Sequence, residues 1–298
     1  MTKIVECIPN FSEGRVAESI EKLAQVARSV TGVTLLDYSS DASHNRSVFT
    51  LIGDPDGIAE VAFKLCKKAS ETIDMTKQSG EHPRMGATDV IPFVPIRNIT
   101  VDECVEISKK VAKRMWDELG IPSFLYEYSA TSPGRQNLAA VRKGQFEGMP
   151  EKLLLDEWAP DFGERKIHPT AGITAVGARP PLIAYNVNLD TPDIEIANAI
   201  AKTIRGSSGG YKYCKAIGIK LEDRNIAQVS MNMVNCEETP IYRVFEAIKF
   251  EAKRWGVNII GSELIGLAHS KALIDCAEYY LQIENFDYNT QVLENHLI

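Results

Sequence analysis

The sequence contains no apolar run long enough to cross a bilayer, no C-x-x-C pair and no Cys/His cluster. The first absence argues against a membrane-spanning helix. The others argue against a zinc site. Cys7, Cys66, Cys104, Cys214, Cys236 and Cys276 are scattered, mostly among apolar neighbours, which predicts buried thiols in a reducing cytoplasm. The opening "MTKIVECIPNF" has neither the apolar core of a signal peptide nor the Arg/Ser bias of a transit peptide. Positive charge is short: 33 Lys and Arg stand against 40 Asp and Glu, a formal net charge of −7. That excludes the broad basic footprint of a nucleic-acid binder, although a local basic pocket for an acidic metabolite stays open. There are only five histidines, so the setting of each one matters. The remaining composition, 44% apolar and 24% charged, is that of a globular protein, and 298 residues predict two modest domains or one large one.

Periodicity supplies the element order. "KIVECI" (3–8) reads as a buried strand and "NFSEGR" as a loop. Helical spacing then runs over 16–30 through Val16, Ile20, Leu23, Val26 and Val30. "GVTLLDY" and "RSVFTLIG" are strands around the polar loop "SSDASHN". A helix covers 55–73, and "TDVIPFVPI" is a fourth strand. The second half reads the same way. "PLIAYNVNL" is a strand and 191–205 a helix with Asp193 and Glu195 in its first turn. "CKAIGIKL" and "NIAQVSMNMV" form a hairpin, a helix spans 239–255 with Pro240 in its first turn, and "VNIIGSEL" is the last strand.

Each half is therefore βαββαβ. This predicts an α+β fold of two ferredoxin-like subdomains, 1–178 and 179–298, with helices outside. The excess length lies in 101–178, read as a helix (Val101–Leu119), a strand "SFLYEYSA" and a loop-rich connection. In "NRSVFTLI", Arg46 and Thr50 share one face opposite Ser47, Phe49 and Leu51. In "NIAQVSMNMV", polar Gln228, Ser230 and Asn232 alternate with apolar neighbours. Two explanations fit such faces: a solvated sheet face, or two sheets meeting across a polar cavity.

Four loops carry candidate chemistry. "GEHPRMGATD" places His82, the best proton-transfer candidate near neutral pH, before Pro83 and between Gly80 and Gly86. Arg84 is suited to bidentate capture of a carboxylate, and Asp89 sits at the strand start. An idle surface histidine is the plain alternative. In "PNFSEGR", Asn10 and Ser12 offer hydrogen bonds beside a helix N-terminus that favours an anion, or the stretch is a simple cap with Glu13 in the first turn. In "SSDASHNR", Asp41, His44, Asn45 and Arg46 either line a pocket or form a turn. The run Arg165, Lys166, His168, Arg179 is basic in an acidic chain and predicts an anionic ligand at the junction of the halves. "RGSSGGYK" follows a helix and lacks the G-K-[ST] ending, so it is no phosphate loop.

The segments "VECIPNFSEGR", "GEHPRMGATDVIPFVP", "EWAPDFG", "TAGITAVGARPPLIAYNVNL", "IAQVSMNMVNCEETPIYRVFEAI" and "GSELIGL" together closely resemble the glutamate formiminotransferases. The same domain forms the N-terminal half of formiminotransferase-cyclodeaminase. The resemblance implies formimino transfer from N-formimino-L-glutamate to N5 of tetrahydrofolate, the co-substrate, with no metal, and a ligand tunnel between the sheets that receives the folate. It implies His82 as the catalytic residue of an H-P-R-M-G motif. It also implies a folate-binding segment made of Gly163, Glu164, Arg165, Lys166, Ile167, His168, Pro169, Thr170, Ala171 and Gly172. Asn10, Ser12, Arg46, Arg84 and Asp89 complete the candidate set as substrate-binding residues, with Asp89 holding the imidazole or the amidine. A stand-alone, cytoplasmic homodimer is implied, any cyclodeaminase being a separate protein. Three rivals fit the same sequence: a glutamate formyltransferase using 5-formyltetrahydrofolate, a non-catalytic folate or amino-acid binding module, and an acylphosphatase-like hydrolase, which the missing phosphate cradle disfavours.

Overall fold

The computed structural model describes every residue except Met1, Ser43, Glu81, Asp223, Leu297 and Ile298. Glu81 of the His82 loop and Asp223 of the second-half hairpin thus lie outside the described residues. The chain divides into two compact units, Met1–Arg179 and Pro180–Ile298.

Unit 1 begins with β1 (Ile4–Cys7) and β2 (Asn10–Phe11), followed by α1 (Ala17–Arg28), β3 (Val33–Asp41), β4 (Arg46–Gly53), α2 (Pro55–Thr72) and β5 (Thr88–Arg97). It continues with α3 (Val101–Leu119), β6 (Ser123–Glu127), α4 (Leu138–Arg142), α5 (Gln145–Lys152) and β7 (Thr174–Ala178). β3, β4, β1 and β5 lie side by side, all antiparallel, which is the split βαβ arrangement. "NFSEGR" is not wholly loop: Asn10 and Phe11 pair with β4 and β5. β1 and β2 are one strand interrupted at Pro9, which has no N–H to give the ladder.

The region 101–178 also differs from the loop-rich reading. β7 inserts in parallel between β5 and β6 and widens the sheet to seven strands. Its sequence, "TAVGA", has few bulky β-formers, because a Cβ at Gly177 would sit 2.4 Å from the Tyr126 carbonyl oxygen. α4 and α5 escape periodicity because they have five and eight residues.

The apolar stripes of α1, α2 and α3 (Leu23, Leu65, Met115 among them) cover one sheet face on Phe11, Phe49, Leu51 and Phe93. A smaller core of Phe124, Tyr126, Val141, Met149 and Ile173 lies under α4 and α5. Local signals fix the long helices. Asp54 accepts from the N–H groups of Asp56 and Gly57 at the start of α2, and Thr100 with Glu103 forms a capping box on α3. Each such cap contributes about 1 kcal/mol.

Unit 2 runs β8 (Ile183–Leu189), α6 (Ile194–Ile204), β9 (Cys214–Leu221), β10 (Ile226–Met233), α7 (Ile241–Arg254) and β11 (Ile259–Ile265). Its sheet order is β11-β8-β10-β9, again antiparallel throughout. Pro240 is the residue before α7 rather than inside its first turn. Helix α8 (Ser270–Leu281) follows β11, beyond the last element that the sequence pattern marks out. Both units thus have βαββαβ order, unit 1 carrying a parallel extension.

Candidate active site

Three loops of unit 1, separate in sequence, meet around Asn45. This residue ends the β3–β4 turn with φ 51°, a left-handed conformation that asparagine tolerates, and it is buried. Its Oδ1 accepts from Gly14 N at 2.9 Å, and its Nδ2 donates to Gln78 Oε1 at 2.6 Å and to the Ser79 carbonyl at 3.0 Å. The backbones approach so closely that a Cβ on Gly14 would lie 2.2 Å from the Asp41 carbonyl oxygen, and one on Gly80 2.4 Å from that of His44. Ser12 fixes the other end of the His82 loop: its Oγ donates to the Gly86 carbonyl at 2.7 Å, and its N–H to that of Ala87 at 3.0 Å.

The anion expected at the start of α1 is the protein's own. Glu13 Oε1 accepts from Arg15 N and Val16 N at 2.8 and 2.9 Å. Asn10 donates to the Ile8 carbonyl at 2.8 Å, while its buried Oδ1 has no partner among the described residues.

His82 is half-buried, and Arg46 Nη1 lies 2.7 Å from its Nε2. A guanidinium can only donate, so Nε2 is the acceptor and the ring proton sits on Nδ1, where the Pro83 carbonyl takes it. Burial, then Arg46, Arg142 and His44, push the imidazole down to about 3, so it is neutral at physiological pH. Arg46 is itself lowered to about 10 by burial and Arg142, with Asp89 opposing.

Asp89 pairs with Arg142 through one oxygen and accepts from Met85 N at 3.0 Å through the other. It orders the loop and a second cation, and among the described residues it makes no hydrogen bond to the imidazole, the first of the two roles expected of it. Arg142 was invisible in sequence, because it is a lone arginine at the end of a five-residue helix, 53 positions from its partner. An open depression of about 400 Å³ adjoins Arg46, lined by Ser39, Ser40, Asp41, His44 and Val48.

Arg84 is buried and committed within the protein: its Nη atoms donate to Glu147 at 2.7 Å, Gln145 at 3.1 Å and the Gln78 carbonyl at 2.6 Å. It ties the loop to α5. Segment 163–172 is stitched to that same loop. Ala87 N donates to the Ala171 carbonyl at 2.9 Å, Ile173 N to that of Met85 at 3.0 Å, and Gly86 bridges Gly172. His168 Nδ1 accepts from Ala171 N at 3.0 Å, and burial lowers the ring's pKa, so this histidine shapes its own turn as a neutral acceptor.

Further out, Gly163 packs on Pro122 and Trp116 in a left-handed conformation, and Glu164 accepts from Lys166 N at 2.7 Å. Ile167 leans on the smaller core, Pro169 is exposed, and Thr170 accepts from Met75 N at 2.8 Å. The basic run does not gather as one patch. Arg165 pairs with Asp156 at 2.7 Å, Lys166 is exposed, and Arg179, whose N–H donates to Phe93, acts on Glu6. Among the described residues no group of His, Cys, Asp and Glu could hold a metal ion.

A neutral, half-buried histidine among cations, in a loop laced to a second loop, has the chemistry to exchange a proton beside an anionic ligand. The family model for the formiminotransferase domain, N-terminal subdomain, matches residues 4–179, and that for the formiminotransferase domain matches 184–297. The chain belongs to the formiminotransferase family. It is 73% identical to the glutamate formimidoyltransferase of Streptococcus pyogenes serotype M1, over 100% of both chains. It is 45% identical to that of Thermoplasma acidophilum, over 95% of this chain and 94% of the other. The formimidoyltransferase-cyclodeaminase of Gallus gallus is 44% identical over 95% of this chain and 53% of its own.

Proposed function

We infer that the protein transfers the formimino group from N-formimino-L-glutamate to N5 of tetrahydrofolate, releasing L-glutamate. N5 attacks the amidine carbon, the new C–N bond forms, and the bond to the glutamate nitrogen breaks. The N5 proton must leave and the glutamate nitrogen must gain one. His82, uncharged before the reaction, takes the first and returns it to the leaving nitrogen, so one imidazole serves as base and then acid. The observation that carries the reading is His82 itself: an uncharged ring held between cations in a family that moves this group.

Segment 163–172 is the folate-binding element of this reading, which is supported by its backbone stitching to the His82 loop. Asn10 contributes a free buried acceptor, and Arg46 a cation beside the base. Ser12, Arg84 and Asp89 act by holding the loops. A cytoplasmic homodimer with a separate cyclodeaminase consuming the product belongs to the same reading. The test is tetrahydrofolate-dependent release of glutamate from formiminoglutamate. Transfer from 5-formyltetrahydrofolate to glutamate at a higher kcat/KM would make the protein a formyltransferase instead, and ligand binding without turnover would make it a binding module.

A further inference from the structure

Two half-buried cations act on His82 with fewer anions than they require. Arg46 comes from the start of β4 and Arg142 from the end of α4. Arg142 shares Asp89 with the Met85 amide. Arg46 has no carboxylate within ion-pairing distance among the described residues, and one of its donors is spent on the neutral ring. Among the described residues both guanidinium groups carry a buried Nε–H with no hydrogen-bond partner, as Arg84 and Arg135 also do. Such groups are costly unless something pairs with them. Lys152 holds Arg142 in place from below by donating to the carbonyls of Ala140, Val141 and Lys143 at the end of α4.

The arrangement also masks the base. The Nε2 lone pair, the one that would accept a proton, is occupied by Arg46. We propose that Arg46 and Arg142 together receive one carboxylate of the glutamate moiety of the formimino donor, and that seating it draws the Arg46 guanidinium off Nε2 of His82. The proposal rests on the transferase reading above and names the residues that select its donor. A carboxylate received by the two guanidinium groups balances the charge that Asp89 alone leaves uncompensated. It also offsets the repulsion that, after burial, helps to lower the ring to about 3, too weak a base for neutral pH. The groups facing the ring are Arg46 from β4, Arg142 from α4, His44 from the β3–β4 turn and the Pro83 carbonyl. Among the described residues none of these is anionic, and the neighbouring carboxylates Asp89 and Asp41 are already engaged by Arg142 and His44, so a substrate carboxylate is the counter-charge Arg46 lacks. Donor binding and exposure of the base thus become one event, and a donor lacking that carboxylate loses kcat as well as KM.

The test compares N-formimino-L-glutamate with its α- and γ-monoamides, tetrahydrofolate being the acceptor, in wild type, Arg46→Gln, Arg142→Gln and Arg142→Lys. One monoamide should lose roughly 10- to 100-fold in kcat/KM on wild type, the usual worth of a hydrogen bond to a charged group. In the two Gln variants that loss should shrink to a few-fold, with the KM for tetrahydrofolate little changed. Binding is read separately by titrating L-glutamate into the protein while ¹⁵N NMR follows the His82 ring. Glutamate should raise its titration midpoint by about a unit or more in wild type, and Arg142→Gln should abolish the rise. Monoamides as good as the acid, losses identical in wild type and the Gln variants, or an unmoved ring would each overturn the proposal. The wild-type arms need no substitution, so an unstable variant cannot obscure the result. If no donor releases glutamate yet glutamate moves the His82 midpoint, the carboxylate receptor stands and the transferase reading falls.

Discussion

Replacing Gly172 by alanine should separate the two loops that make the site. Gly172 has φ +72°, where an L side chain costs about 1–2 kcal/mol. Its Cβ would lie 2.3 Å from the Met85 carbonyl oxygen, 3.0 Å from Gly86 Cα and 3.1 Å from the Phe146 ring. The nearest of these is backbone and cannot swing aside. Bringing it out to an ordinary contact of 3.4 Å displaces the carbonyl by about 1 Å. That carbonyl accepts from Ile173 N at 3.0 Å, so one hydrogen bond worth about 1 kcal/mol goes with it. Together the terms give a loss of about 2–3 kcal/mol, read as a lower urea midpoint at unchanged m-value. Met85 is three residues from His82, so the displacement reaches the base, and kcat should fall about 100-fold. Gly148→Ala in α5 is the control. It has nothing within 4 Å of its Cβ, and alanine there should stabilise by about 0.5–1 kcal/mol. A Gly172→Ala protein with wild-type midpoint and kcat would refute the stitching argument.

His82→Ala should cut kcat by about two to four orders of magnitude with tetrahydrofolate binding nearly unchanged, and His82→Asn should be almost as poor; near-normal kcat in either variant would remove His82 from the mechanism. The His82 pKa is depressed in the folded protein, so the unfolded chain binds more protons between about 3 and the ordinary 6.5, and this group's contribution to stability is lost as pH falls through that window. For the same reason kcat/KM for the donor should stay flat from pH 7 to about pH 5 in wild type, while Arg46→Gln should lift the acid limb towards 6.5; a wild-type limb already at 6.5 would contradict the Arg46 contact. Arg135 and Asp161 are a buried pair at 2.7 Å, with side chains 8% and 7% exposed, so Asp161→Ala should cost about 3–5 kcal/mol in a urea melt, and a loss under 1 kcal/mol would show the pair to be dispensable.

The legible part of this fold is the part whose signal is local. The helix Val101–Leu119 falls where its spacing, its Thr100 cap and Gly120 place it, and β4 matches "RSVFTLIG" residue for residue. β7 was not legible, because a strand of small residues owes its existence to its parallel neighbours and to the close approach of Tyr126. The site shows the same division. His82 stood out through scarcity and its Gly-flanked, Pro-stiffened loop. Arg142 and the hub at Asn45 did not, since their partners lie 53 and up to 34 positions away.

Sequence by itself determined the βαββαβ order of both units, the acidic balance and which histidine is the candidate proton carrier, because side-chain periodicity and residue chemistry are properties of short stretches. Tertiary structure alone decided what that carrier is. Strand register put Arg46 on the same sheet face as Asn10 and Val48, α4 delivered Arg142 to Asp89, and burial removed the water that would have screened them. An isolated histidine would titrate near 6.5. Half-buried against the Arg46 guanidinium and within the field of Arg142, it is held neutral with its lone pair covered, since burial disfavours the charged ring, Coulomb repulsion strengthens as water is excluded, and only a folded chain brings those charges together.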